Sequence, residues 1–200
     1  MQIEVESITR VFKDKDYLWS VKFKGEEQDE ITRLFCLWTS PEYLYKFMEE
    51  HAEYFKSPFW IGKEVTPAST AKIALDQSKR LIKELAQLKQ NIDKGNQYDF
   101  DKFFIPLSLN YNDEELKRVK AYSPTSPQNP DSVAIFRLYA IWIESNVYII
   151  TGGGIKLVKE MRDMPELTKE LQKIRVVREW LEEQGVASAE QITIVQYECD

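Results

Sequence analysis

Cysteine, histidine and glycine are all scarce in this chain: two, one and seven of them in 200 residues. Cys36 and Cys199 are too few and too far apart for a disulfide framework or a paired-cysteine metal site, so a reduced, cytoplasmic setting is the expectation. His51 has no second imidazole to complete a hydrolase triad, and no Cys, Asp or Glu at ligand spacing to hold zinc. It reads as a structural histidine, and no metal site is expected. No apolar run approaches the ~18 residues of a membrane span. Met1-Gln2-Ile3-Glu4-Val5-Glu6 lacks the basic and apolar regions of a signal peptide. Excess positive charge is missing too: the net charge is −6, which disfavours non-specific binding to nucleic acid. The balance is uneven, since residues 63–95 carry seven basic residues against four acidic ones. The favoured reading of that segment is a solvated helix face, with a single-stranded nucleic-acid surface over residues 72–89 as the sharper alternative.

Aromatic residues, in contrast, are plentiful: five Trp, ten Tyr and ten Phe, enough for a substantial core. Trp19, Val21 and Phe23 alternate with polar residues, and with Ile3–Phe12 and the turn Lys13-Asp14-Lys15-Asp16 they predict an N-terminal β-hairpin. Ile31, Leu34, Phe35 and Trp38 fall at helical spacing. Ser40-Pro41 and Thr66-Pro67 are cap-plus-proline helix starts. The second opens the longest helix, to about Ile92, with Ala74, Leu81, Leu85, Leu88 and Ile92 on one face and Lys94-Gly95-Asn96 as its stop. A short helix is expected over Asn112–Val119 and a proline-rich loop over Ser123–Asp131. Two apolar strands then flank Glu144-Ser145-Asn146. Pro165 begins a helix with Leu167, Leu171, Ile174, Val177 and Leu181 on one stripe and Gly185 at its end. The tail Ile192-Thr193-Ile194-Val195 is expected to form an edge strand. Together these predict an α+β fold: a small antiparallel twisted sheet packed against several helices. Residues 1–200 read as one domain, with 1–122 (hairpin and helical section) and 132–200 (sheet and helix) as a subdivision.

Three of the seven glycines are consecutive, in Thr151-Gly152-Gly153-Gly154-Ile155-Lys156. Neither the Gly-x-x-x-x-Gly-Lys-Ser/Thr nor the Gly-x-Gly-x-x-Gly spacing is present, and Leu157 follows the lysine where a magnesium-binding hydroxyl belongs. Nucleotide binding is therefore not expected, nor is any cofactor. The glycines are read as a strand-end turn that brings Lys156 beside Arg137 of the preceding strand, with Lys159 and Arg162 nearby. Such a cluster suits phosphodiester recognition. The plainer alternative is a bulge or turn whose lysines solvate the sheet edge, and residue types alone favour it.

The stretch from about Val133 to Leu181 resembles the C-terminal half of the RelE/HigB-like toxin superfamily. Phe136-Arg137-Leu138-Tyr139-Ala140 resembles the first strand of that half and Tyr148-Ile149-Ile150-Thr151-Gly152 the second. Lys156 and Lys159 approximate the basic pair, and Met164-Pro165-Glu166-Leu167 the entry to the final helix. A signature running from Tyr139-Ala140-Ile141 to Ile150-Thr151-Gly152-Gly153 and Lys156 also resembles one found in other bacterial proteins. The chain departs from the family in its acidity, its length and its helical N-terminal section, and its lysines are offset from the adjacent pair. The resemblance implies a toxin or toxin-derived protein of a bacterial toxin–antitoxin system, with a ribonuclease's RNA substrate and an antitoxin protein as partners. In that reading Arg137 and Lys156 stabilise charge at the scissile phosphate, Lys159 and Arg162 hold the backbone, and Tyr139, Tyr148 or a lysine is the general base. The competing reading is a non-enzymatic interaction module of a bacterial or phage-defence complex. It uses the aromatic residues Tyr43, Tyr45, Phe47 and Tyr54 of the helical section.

Overall fold

The computed structural model describes residues 3–60, 63, 65–96, 98–106, 119–122 and 133–199. Strands β1 (Val5–Arg10) and β2 (Leu18–Phe23) form the expected hairpin, with Asp14 in the left-handed conformation at its turn. Helices α1 (Glu30–Trp38), α2 (Pro41–Glu50) and α3 (Pro67–Asp93) follow, the last two separated by a 3-10 turn over Ala52–Lys56. Their starts are locally encoded. The side chains of Asp29, Ser40 and Thr66 accept from the amides of Thr32, Tyr43 and Ser69, and proline occupies the first turn of α2 and α3. Gly95, at φ +67°, ends α3 where a left-handed residue is needed. The one-turn helix α4 (Phe100–Phe103) leads to β3 (Ile105–Pro106) and β4 (Val119–Tyr122). The helix expected from Asn112 lies outside the described residues, apart from Val119, which opens β4; the loop over Ser123–Asp131 also lies outside them.

β5 (Phe136–Glu144) and β6 (Val147–Ile155) are the long central hairpin. Asn146 takes φ +61° at the turn, and Asp101 accepts there from the Ser145 hydroxyl, the Asn146 amide and the Tyr148 hydroxyl. The six strands make one sheet in the order β1-β2-β6-β5-β4-β3. The fold is α+β, and the sheet is antiparallel at every pair but one: β2 runs parallel to β6 over Leu18–Ser20 and Tyr148–Ile150. Strands from both sides of residue 122 therefore share one hydrogen-bonded sheet.

Side chains alternate across a strand, and the alternation separates two packed layers. Leu18, Tyr148 and Ile150 belong to the larger cluster with Leu34, Trp38, Leu44 and Leu81. Trp19, Val21, Ile149 and Ile141 belong to a second cluster with α5 (Pro165–Glu183) and α6 (Ala189–Cys199). Trp38 stacks on Phe136 with ring centroids 4.3 Å apart, worth about 0.5–1.5 kcal/mol beyond its burial. The tail is helical rather than an edge strand. Ile192 and Val195, three residues apart, are buried in the second cluster, and the Thr193 hydroxyl donates to Ala189 O one turn back. Burial of one helical face overrides the β-branched composition there.

Candidate functional site

Gln77 of α3, almost fully buried, holds the entry to β5: its Nε2 donates to Val133 O and its Oε1 accepts from the Ile135 amide, both at 2.8 Å. The Lys156 amide donates to Ile135 O at 2.7 Å. Arg137 lies opposite Gly154 in the β5–β6 ladder. Strand register thus brings Arg137 and Lys156 together, as the sequence suggested. Arg137 is half-buried, and its Nη1 donates to the carbonyls of Ala134 and Phe136 at 3.1 and 2.8 Å. Burial lowers its pKa. Lys156 is also half-buried and lowered, first by burial and then by the charge of Arg137, with Glu160 opposing. Among the described residues neither cation forms an ion pair with a carboxylate. Lys159 and Arg162 are exposed beyond β6, between the buried Leu157, Val158, Met161 and Met164, with Arg162 in a 3-10 turn over Met161–Asp163.

The glycines are not a turn. Gly152, Gly153 and Gly154 lie inside β6, which runs on to Ile155. A Cβ at Gly153 would stand 2.7 Å from Arg137 O and 2.8 Å from the Trp38 ring, and one at Gly154 would stand 2.7 Å from Leu167 Cδ2. A Cβ at Gly152 would overlap the Glu170 carboxylate. The run exists so that α1 on one face and α5 on the other can lie directly on the strand. The bared backbone is covered on both faces.

The tyrosines considered as bases are committed elsewhere. Tyr139 is fully buried with its hydroxyl directed at Met161 Sδ, and the Tyr148 hydroxyl donates to Asp101 at 2.6 Å. Burial and then Asp101 push the Tyr148 pKa up. His51 is packed between the rings of Phe47 and Tyr54; its Nδ1 meets Phe47 O at 2.8 Å and its Nε2 meets Glu166 Oε1 at 3.3 Å. No group of metal-ligating residues occurs among the described residues. On α3, Lys72, Lys79, Lys83 and Lys89 are exposed, and Lys89 pairs with Asp93 one turn on. No helix among the described residues is long and apolar enough to cross a membrane.

Four charged residues that sequence reasoning passed over form a buried chain. Arg33 donates to both oxygens of Glu30 at 3.0 and 2.8 Å, Lys173 reaches Glu30 at 2.9 Å, and Lys173 reaches Glu170 at 3.0 Å. Glu30 and Glu170 are 1% and 7% exposed. The chain occupies a slot in the sheet. β2 and β6 stop pairing after Ser20 and Ile150, and the carboxylates of Glu30 from α1 and Glu170 from α5 approach Gly152 there. Burial, with the charge of Glu30, pushes the Glu170 carboxyl up to about 7 against the pull of Lys173. One signal was available in the sequence. Glu170 falls on the apolar stripe of α5, between Leu167 and Ile174, where a solvated acid does not belong.

Beyond the charge chain the slot opens into a cleft of about 220 Å³, with Gly153–Ile155 along its floor. Leu37, Tyr43 and Phe47 line one side, and Glu166 and Lys169 line the other. No family model matches this chain, and no curated protein or solved structure matches it either.

Proposed function

We propose that this protein engages a phosphodiester backbone through Arg137 and Lys156, as an RNA-directed protein of the RelE-like kind. The observation that carries this reading is a half-buried pair of cations with lowered pKa values and no carboxylate partner among the described residues. Holding two like charges together and partly out of water is unfavourable, and an anion between them would relieve it. Arginine suits phosphate oxygens through its planar fork, and a partly desolvated lysine gains in basicity as a neutral amine. In cleavage, Lys156 would take the proton of a ribose 2′-hydroxyl as that oxygen attacks phosphorus. Arg137 would hold the charge on the phosphate oxygens, and the leaving 5′-oxygen would take a proton from water. Lys159 and Arg162 would extend the contact along the strand. A small antitoxin protein is the partner this reading implies.

Controlled expression in a bacterial host tests it. Growth arrest by the wild-type protein, relieved by Arg137→Ala/Lys156→Ala at equal protein level, is the expected result. Unimpaired growth at high wild-type level argues against it. A second reading, protein interaction by the helical section, is favoured by one observation: Tyr45 is 45% exposed on α2, whereas Tyr43, Phe47 and Tyr54 are half-buried against their neighbours.

A further inference from the structure

His51 touches both walls of the cleft. Phe47, on the α2 wall, lies against one face of its ring, with centroids 4.1 Å apart and planes 18° from parallel. Glu166, on the α5 wall, faces its Nε2 at 3.3 Å. The residue closes α2 as its C-terminal cap and leads into the 3-10 turn, whose Tyr54 ring stacks 5.9 Å away at 14°. Its side chain is 16% exposed, so the ring is held largely out of water while it joins α2 to α5.

Both ring nitrogens meet oxygen acceptors: Nδ1 the Phe47 carbonyl at 2.8 Å, and Nε2 the Glu166 carboxylate at 3.3 Å. A neutral imidazole carries a single N–H. It would satisfy one of these oxygens and set a lone pair against the other. The two contacts are complete together only when a second proton is present. Imidazole is a stronger base than a carboxylate, so that proton belongs to the ring, which is then imidazolium. Two further features favour the charged ring. It lies against two aromatic faces, within the range of about 6 Å at which a cation is drawn to a π-system. It also caps the C-terminus of α2, where the helix dipole is negative. Other charges surround the stack. Burial and then Glu166, Glu53 and Asp163 raise the pKa of Tyr54, while burial against Arg33, with Glu166 and Glu50 adding, raises that of Tyr43. Lys46 is paired with Glu50, and Lys169 stands on the α5 wall. Glu166, the carboxylate in contact, sets the sign.

We propose that His51 is a pH-sensitive latch that ties the C-terminal end of α2 to the first turn of α5 and so holds the walls of the cleft together. The closed contact binds one proton more than the parted one, so rising pH favours parting. When Nε2 gives its proton to solvent, its lone pair faces Glu166 Oε1, and the hydrogen bond and the ion pair are lost in one step. The Phe47 wall is then released from the Glu166 wall. Acid closes the cleft and alkali frees it. The latch is separate from Arg137 and Lys156 and does not depend on RNA binding.

His51 is the only histidine in the chain, so its ring signals identify themselves. The test is nuclear magnetic resonance on the full chain, labelled with nitrogen-15 and carbon-13 and free of any histidine tag, titrated from about pH 5 to about pH 8. At the acid end both ring nitrogens should carry protons, with an Overhauser contact from the ring to the Glu166 side chain. As the Nε2 proton is lost that contact should fade, and the amides of Phe47 and Glu166 should shift with the same midpoint. In Glu166→Gln the ring should lose its proton at lower pH. In His51→Gln the two amides should no longer follow that midpoint, whereas Glu170→Gln, which removes the other titrating group beside the cleft, should leave the coupled movement in place. The proposal is overturned if the ring loses its proton while its contact to Glu166 persists, if Glu166→Gln leaves the midpoint where it was, or if the amides keep theirs in His51→Gln. The first of these is read on wild-type protein, so instability of a variant cannot obscure the answer.

Discussion

On the β2 side of β6, Arg33, Glu30, Lys173 and Glu170 alternate in sign, with contacts of 2.8, 2.9 and 3.0 Å. On the β5 side, Arg137 and Lys156 stand together with the same sign, and each loses pKa to burial. Both regions draw charge out of water within a few residues of the same glycine run. The first closes its own account of charge and so ties α1 to α5 through the slot in the sheet. The second keeps two like charges together, with only Glu160 acting against the depression at Lys156. A balanced buried cluster stabilises a fold; an unbalanced one is where an outside ion is wanted.

The comparison breaks most visibly at Glu30. Glu30→Ala leaves Arg33 and Lys173 without their shared partner, and loss of one member of a buried pair costs about 3–5 kcal/mol. Chemical denaturation should show a correspondingly lower midpoint at unchanged slope, and an unaffected midpoint would mean the chain is not structural. Gly153→Ala comes next. Its Cβ would press on the Arg137 carbonyl and the Trp38 ring, neither of which yields easily, for about 1–3 kcal/mol of destabilisation. Lys156→Met sharpens the contrast from the other side. Removing one of two like charges should leave stability within about 1 kcal/mol of wild type, or raise it, while phosphodiester binding falls.

Acidity probes the balanced region alone. The Glu170 carboxyl, pushed up from 4.5 to about 7 in the folded protein, keeps its proton over a range in which the unfolded chain has released it. The folded state then binds more protons, so this group's contribution to stability is full below about pH 4.5 and is lost as pH rises to 7. Thermal melts across that range should show less pH-dependent loss in Glu170→Gln than in wild type. Smallest is the effect of Lys159→Ala on single-stranded RNA binding, a reduction of the salt slope by about 0.7.

How much of this was written locally explains what could be read from the sequence. Ser40-Pro41 and Thr66-Pro67 announce α2 and α3 because a cap and its amides are neighbours in the chain, and the two hairpins follow from alternation and turn residues. The pairing of Arg137 with Lys156 was legible for the same reason, being a consequence of one hairpin. The glycine run was misread as a turn because its cause is distant: Trp38 and Leu34 on one face, Leu167 and Glu170 on the other. Distance also hid the parallel β2–β6 pairing and the charge chain, which joins residues 143 positions apart at Glu30 and Lys173. At the tail, Ile192-Thr193-Ile194-Val195 has strand composition, and only the burial of Ile192 and Val195 against the second cluster decides for a helix.

The claim that Arg137 and Lys156 form the ligand-facing pair is tested most directly by titrating a single-stranded RNA oligonucleotide into wild type and Arg137→Ala/Lys156→Ala over a series of salt concentrations. The account predicts that log affinity of the wild type falls linearly with log salt, and that the double variant binds at least tenfold more weakly at low salt with a slope smaller by about 1.4, the value for two lost contacts to a single strand. Equal affinity and equal slope for the two proteins would contradict it.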